Sequence, residues 1–237
     1  MRKGNIIVIE GSDKSGKETQ TKLLVERLNR EGQPCQLISF PRYNTPTGRI
    51  IGQCYLGKKN IWEGDTGWFG DADALDPRIT SLYYAADRLA AAPDIIKMTN
   101  EGTHAVLDRY YQSNMAHQGG KIKDKPKRMA FFEFERLLEL ELLKIPKEDI
   151  AFFLHMPTEV AVELRKRGNI EADLHEANIN HLKNAEATYL EMVKTYWYNW
   201  KLISCAPDRT LGSLRSPEDI AEEIHTHLIN SCIIKYV

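Results

Sequence analysis

Cysteine is scarce in this 237-residue chain: Cys35, Cys54, Cys205 and Cys232 are scattered, and no two form a C-x-x-C pair. That pattern argues against a disulfide framework and a thiolate zinc site, and fits reduced thiols in a cytoplasmic protein. An excess of one charge is also lacking. The 32 Lys and Arg against 33 Asp and Glu leave a net charge of −1. Neither a nucleic-acid nor a membrane partner is expected from that balance, so any affinity for anions must come from local clusters. No apolar run has transmembrane length, and the first, Ile6–Ile9, is too short for a signal peptide. Repeats, low-complexity tracts and Pro/Ser-rich linkers are absent as well, which argues for one domain over residues 1–237.

What is present is alternation. Short apolar runs at Asn5–Glu10, Cys35–Phe40, His104–Asp108, Ile150–His155 and Lys201–Cys205 read as strands buried on both faces of a parallel sheet. Helical patterns fill the gaps. Lys17–Glu31 carries Leu23, Leu24 and Leu28 along one side and stops at Gly32. Asp76–Pro77 caps a helix to about Ala92, which Pro93 kinks or splits. Pro126–Lys144, Thr158–Arg167, about Leu174–Asn199 and Pro217–Asn230 behind Ser216 complete the set. Strands alternating with helices predict an α/β fold with one doubly wound, five-stranded parallel sheet flanked by helices. Asn60–Ala74 reads as a surface loop, and Met129–Leu143, apolar on more than one face, as a buried helix with a possible role in dimer contact. The Tyr196–Trp200 cluster reads as packing surface. His155, His175, His181, His225 and His227 show no metal spacing, and no metal ligands are assigned.

Chemistry enters at Gly11–Thr19, GSDKSGKET. Gly-x-x-x-x-Gly-Lys between a strand and a helix is a phosphate-binding loop. Its glycines let successive N–H groups point at phosphate oxygens, and the helix N-terminus adds positive potential. The next position, where Ser or Thr reaches Mg²⁺, holds Glu18. Three readings stand: Glu18 helps hold the ion, it points away and Thr19 serves, or the nucleotide itself holds the ion. The absence of N-K-x-D argues against a GTPase, and the absence of H-R-D against a protein kinase. Arginines recur instead in F-P-R-Y (Phe40–Tyr43), Y-Y-A-A-D-R (Tyr83–Arg88), D-R-Y (Asp108–Tyr110) and R-K-R (Arg165–Arg167). Two of these follow strand ends, where doubly wound folds bind ligands, and suggest a second anion site.

Together with D-R-Y-Y-Q-S-N-M-A-H-Q, these motifs resemble the thymidylate kinases among the P-loop nucleoside monophosphate kinases, from about Asn5 to at least Ala206. The resemblance implies ATP-dependent phosphorylation of dTMP to dTDP by a three-layer P-loop kinase, with Mg²⁺ accompanying ATP and a homodimeric assembly. It implies that Gly11, Ser12, Asp13, Lys14, Ser15, Gly16, Lys17, Glu18 and Thr19 form the ATP-phosphate loop, Asp13 also facing the 3′-hydroxyl of the acceptor. Phe40 and Arg42 would line the monophosphate pocket. Tyr84 would stack on thymine, Arg88 would bond its carbonyl, and Asn114 would touch the base edge. His117 and its neighbour Gln118 would lie near the sugar. Lys17, Asp108, Arg109 and the lid arginines Arg165 and Arg167 would carry catalysis, the lid occupying about 165–176. The acceptor is already an anion, so charge neutralisation rather than a strong general base is what the reaction requires.

Three departures bear on this reading. Glu18 stands for the usual Ser or Thr, His117 for the commoner aromatic, and few arginines follow Arg167, where Lys14 could supply charge. Asp173 and Glu176 read first as helix-start acids. The rivals are a kinase for another pyrimidine monophosphate such as dUMP, and a nucleotide-binding homologue with impaired catalysis.

Overall fold

All five apolar runs become parallel strands: β1 (Ile6–Gly11), β2 (Cys35–Ser39), β3 (His104–Asp108), β4 (Ile150–His155) and β5 (Trp200–Ser204). The computed structural model describes residues 3–12, 14–59, 66–71, 74–168, 178–196 and 198–234. The strand order is β2-β3-β1-β4-β5, with Ile7 opposite Ile150 and Val8 opposite Leu107. β1 is buried along its whole length, as its unbroken Ile/Val run requires at the centre of a sheet covered on both faces.

Side chains of a strand alternate between faces, and β1 therefore feeds two cores. Ile6 and Val8 pack with Leu107, Ile95, Met115, Phe132 and Tyr189 on one face. Ile7 and Ile9 pack with Leu24, Leu28, Phe152, Ile203 and Ile224 on the other. The first layer holds α3 (Pro77–Asn100), α4 (Tyr111–Gly119), α5 (Lys125–Arg136) and α7 (Ile179–Thr195). The second holds α1 (Lys17–Arg30), α6 (Thr158–Gly168) and α8 (Pro217–Asn230). A short α2 (Pro46–Arg49) runs into a wide helical turn at Ile50–Tyr55. This is the expected α/β architecture, a five-stranded parallel sheet between helical layers.

Several local expectations need correction. Pro93 does not end its helix: α3 is continuous from Pro77 to Asn100. Pro93 and Leu89 lie on the exposed side, while Ala91, Ala92 and Ile95 pack the opposite side and hold the helix together. The Met129–Leu143 segment is not buried throughout. After α5 it widens into a π-helical turn, Leu137–Leu142, whose two end leucines are exposed while Glu135 and Glu139 are fully buried. Helix α4 has no N-cap side-chain bond and no sequence signal announced it. It starts because Arg109 takes a left-handed φ of 67° and turns the chain sharply off β3. Of Asn60–Ala74, residues 60–65, 72 and 73 lie outside the described residues, as do residues 174–177, the start assigned to the seventh helix. Trp197 of the aromatic cluster is also outside them. Trp200 is buried at the start of β5, and Tyr198 is exposed.

Candidate active site

The carboxyl ends of β1, β2 and β3 converge on one open cleft of about 670 Å³, lined among others by Lys14, Lys17, Phe40, Tyr43, Asp108 and Arg109. The phosphate loop forms one wall. Gly16 has φ 79° and caps α1, and Lys14 has φ 55°, a left-handed geometry that costs a non-glycine residue free energy. Ser12 Oγ donates to Met156 O (2.8 Å), pinning the loop to the end of β4. Lys17 Nζ donates to Ser12 O (3.0 Å), so its ammonium arches over the loop. A Cβ at Gly11 would collide with Ser15 Oγ, so only glycine fits at the start of the loop. Ser15 Oγ is buried and makes no hydrogen bond, an orphan in a loop otherwise built of donors. A nucleotide phosphate or its cation would satisfy it.

Glu18 is settled by geometry. Its carboxylate points along the outside of α1 to Lys22 Nζ, 2.6 Å away, and that hydrogen bond and charge hold its pKa below the ordinary Glu value. Thr19 is exposed beside the cleft. Glu18→Ser is therefore expected to leave the Mg²⁺ dependence of turnover unchanged. A magnesium titration of the two proteins checks this, and a shift of the half-saturating Mg²⁺ concentration beyond about twofold would place Glu18 on the ion.

Across the cleft, Arg109 is held by contacts of its Nη1 to Ser113 Oγ and His117 Nε2, both at 3.4 Å. Burial alone would lower its pKa, but Tyr189, Glu10 and Asp108 around it reverse this, so it stays firmly cationic. Glu10 went unnoticed in the sequence, where it is only the polar end of an apolar run. It is fully buried, accepting from Tyr110 N (2.8 Å), Ser113 Oγ (2.7 Å) and Tyr189 OH (2.7 Å). Burial raises its pKa against those bonds and the Arg109 charge. Behind it, His117 Nδ1 lies 3.2 Å from His181 Nε2 with the rings stacked. Residues 64 apart in sequence are thus linked, and no spacing rule could have found His181.

Arg42 does not point freely into solvent. Asp87 fixes it through Arg42 N to Oδ2 (2.8 Å), Nε to Oδ1 (3.2 Å) and Nη2 to the Asp87 carbonyl (3.0 Å). Asp87 also accepts from Thr47 Oγ1 (2.6 Å). The Nη1 of Arg42 enters none of these bonds and remains a donor for an anion. Phe40 is buried against Tyr110 and lines the cleft, ring centroids 5.8 Å apart.

A second group lies where α3, α4 and α5 meet. Tyr84 packs edge-on to Tyr55 (6.0 Å, 87°), and its ring lies 6.0 Å from Arg88 Cζ. Arg88 is fully buried, paired with Glu139 through Nε and Nη2, and its Nη1 reaches Tyr110 O at 3.4 Å. Asn114 contacts Ser81 O and Glu135 Oε2 through its Nδ2, each at 3.5 Å. Gln118 is buried and exchanges hydrogen bonds with Tyr55 OH (3.1 Å from Nε2), which Lys121 Nζ also reaches at 3.2 Å. Gln118, expected beside the acceptor sugar, thus lies with its amide against Tyr55, whose ring packs on Tyr84. Asp13 and residues 169–176 of the expected lid lie outside the described residues. Arg167 pairs with Glu163 one turn back on α6 (2.8 Å), and Arg165 is half-buried. The start of α6 is pinned by Glu186, whose Oε2 accepts from Thr158 N (2.9 Å) and Thr158 Oγ1 (2.6 Å). Burial opposes ionisation of Glu186, but its bonds to His155 and Thr158 hold the pKa at about 2.

A glycine-rich loop at the strand where the sheet's connections reverse, opening a helix and facing a buried arginine across one cleft, defines a P-loop phosphotransferase acting on nucleotides. The chain belongs to the thymidylate kinase family, whose sequence model matches residues 9–208. It is 27% identical over 224 residues to the thymidylate kinase of Danio rerio, spanning 94% of this chain and 92% of the relative. The thymidylate kinase of Homo sapiens is 28% identical over 86% of this chain and 84% of its own. A solved thymidylate kinase from Candida albicans shares the fold, with a TM-score of 0.70 over 99% of this chain and 96% of that one, at 21% identity.

Proposed function

We propose that the chain transfers the γ-phosphoryl group of ATP to dTMP, giving dTDP and ADP. The observation that carries this reading is the single cleft shared by the phosphate loop and by Phe40, Asp108 and Arg109. ATP phosphates would lie on the Gly11–Thr19 loop and the acceptor phosphate toward Arg109 and Arg42. Two anions are brought together there, so the chemistry rests on Lys17 and Arg109 offsetting charge while backbone N–H groups fix the donor. Mg²⁺ accompanying ATP would supply positive charge that offsets that of the phosphates. The residues present suit a hard cation, since the oxygen-bearing residues Asp108 and Thr19 line the cleft and the buried Ser15 Oγ lacks a partner. These few ligands leave most of the coordination to the nucleotide and water.

Tyr84, Arg88 and Asn114 would form the base pocket, an aromatic face with an arginine and an amide at its edge. The lid would begin at the end of α6 with Arg165 and Arg167, on a single domain spanning the chain. A homodimer would bury the exposed stripe Ile79, Leu82, Leu89 and Ile96 along α3, whose spacing keeps one helix face apolar. Among the described residues no helix is long and apolar enough to cross a membrane. The free thiols, with Cys35 and Cys205 pushed up to about 12 by burial, suit the reducing cytoplasm. The test is ADP release with ATP–Mg²⁺ and a panel of nucleoside monophosphates. Turnover is expected with dTMP above dUMP and dCMP, and none with dTMP would overturn the proposal.

A further inference from the structure

Arg109 can donate hydrogen bonds but cannot accept one. Its Nη1 lies 3.4 Å from His117 Nε2, so that nitrogen must carry a lone pair, and the proton of the neutral ring sits on Nδ1. Nδ1 in turn lies 3.2 Å from His181 Nε2, which must then accept. The result is a directed chain, Arg109 to His117 to His181, in which each group donates to the next. Ser113 holds the same guanidinium from another side. Its hydroxyl proton goes to Glu10 Oε2 (2.7 Å), leaving Oγ to accept from Nη1 at 3.4 Å. Tyr189, edge-on to His117 (5.9 Å, 89°), also donates to Glu10 (2.7 Å), so its hydroxyl does not compete for the imidazole.

Any other form of His117 fails at Arg109. The opposite tautomer sets N–H against N–H, and the imidazolium adds like charge to that clash. The form of His117 therefore depends on an acceptor at its far nitrogen, and His181 supplies it. His181 is buried in the first turn of α7, where Asn178 caps the helix and accepts from His181 N (3.1 Å). We propose that His181 is a positioning residue for phosphoryl transfer: by accepting from His117 Nδ1 it holds His117 in the one form whose Nε2 can accept from Arg109, and so fixes the guanidinium in the cleft. Both side-chain contacts of Arg109 use Nη1, so neither takes Nε or Nη2 from a phosphate. A guanidinium braced in this way meets developing charge without first being ordered. This inference rests on the phosphotransferase reading of the cleft.

The first measurement needs no altered contact. In ¹⁵N NMR of the wild-type protein at about pH 8, above the ordinary imidazole range, His117 is expected to be protonated on Nδ1 and bare on Nε2. Free imidazole side chains prefer the opposite tautomer, so a ring that merely fills space would not show this. His117→Gln identifies the signals by their loss. The second measurement is steady-state kinetics of His181→Phe, which keeps the size of the buried ring and removes the acceptor, with His181→Leu in reserve should it not fold. Its kcat for dTMP is expected to fall about five- to tenfold, the scale of one lost hydrogen bond, with KM for both substrates within about twofold. His181→Gln returns an acceptor oxygen and is expected to recover kcat to within about twofold of wild type. An Nε2-protonated His117, folded phenylalanine or leucine variants with wild-type kcat, or a glutamine variant as slow as phenylalanine would each overturn the assignment, while wild-type turnover of dTMP leaves the kinase reading standing. Wild-type protein inert toward dTMP would bring down both.

Discussion

Replacing Arg109 with alanine is expected to lower kcat for dTMP by about 10³, the scale of removing a preorganised cation from a phosphoryl-transfer site. The size follows from how Arg109 is held. It sits in the shared cleft with Lys14, Lys17 and Asp108, turned off β3 by its left-handed backbone and braced by Ser113 and His117. Such a cation needs no reorganisation as charge spreads over the transferring group. The side chain also balances Glu10, but Glu10 keeps three hydrogen-bond donors of its own and burial already favours its protonation. The variant should therefore stay folded. Single-turnover kinetics beside a thermal melt separates the two effects, and unchanged phosphoryl transfer in a folded Arg109→Ala would remove it from the mechanism. Arg109→Lys is expected to recover only part of the rate, because a point charge cannot present the planar, forked donors that suit a phosphate.

The second large effect is on stability and depends on pH. Burial, then the neighbouring Glu139 charge, push the Glu135 carboxyl up to about 8 from the ordinary value of 4.5. Between those values the folded chain binds a proton that the unfolded chain has released. Stability is therefore full below the ordinary Glu range, falls as pH rises toward 8, and levels off above it. The loss is on the order of 3–5 kcal/mol, from 1.36 kcal/mol per pH unit. Glu135→Gln removes it. The melting temperatures of variant and wild type should be close near pH 4.5, with the variant roughly 10 °C higher near pH 8.5. Calorimetry across that range checks the trend. A difference that does not vary with pH would mean that Glu135 titrates like an exposed glutamate.

The fold was legible because its signals are local and repeated. Each strand is a short run of β-branched and apolar residues, and β1 needs nothing beyond Ile6–Ile9 to mark it as central. The phosphate loop was legible because left-handed Gly16 and the tight fit at Gly11 admit almost nothing but glycine. Pro93 did not split its helix because the face opposite it is well packed. Helix α4 was missed because its start depends on a backbone turn at Arg109 and not on a capping side chain.

By itself the sequence determined the strand-helix alternation, the loop that binds phosphate, and the arginine motifs that make a second anion site plausible. These are consequences of residue type at short spacing. Only the tertiary structure decided what each polar group faces. It turned Glu18 outward to Lys22, gave Arg42 to Asp87 and Arg88 to Glu139, and stacked His181 on His117. Most of those pairings join distant parts of the chain. A buried charge or amide is fixed by whichever partner the fold delivers to it, and no local pattern carries that information.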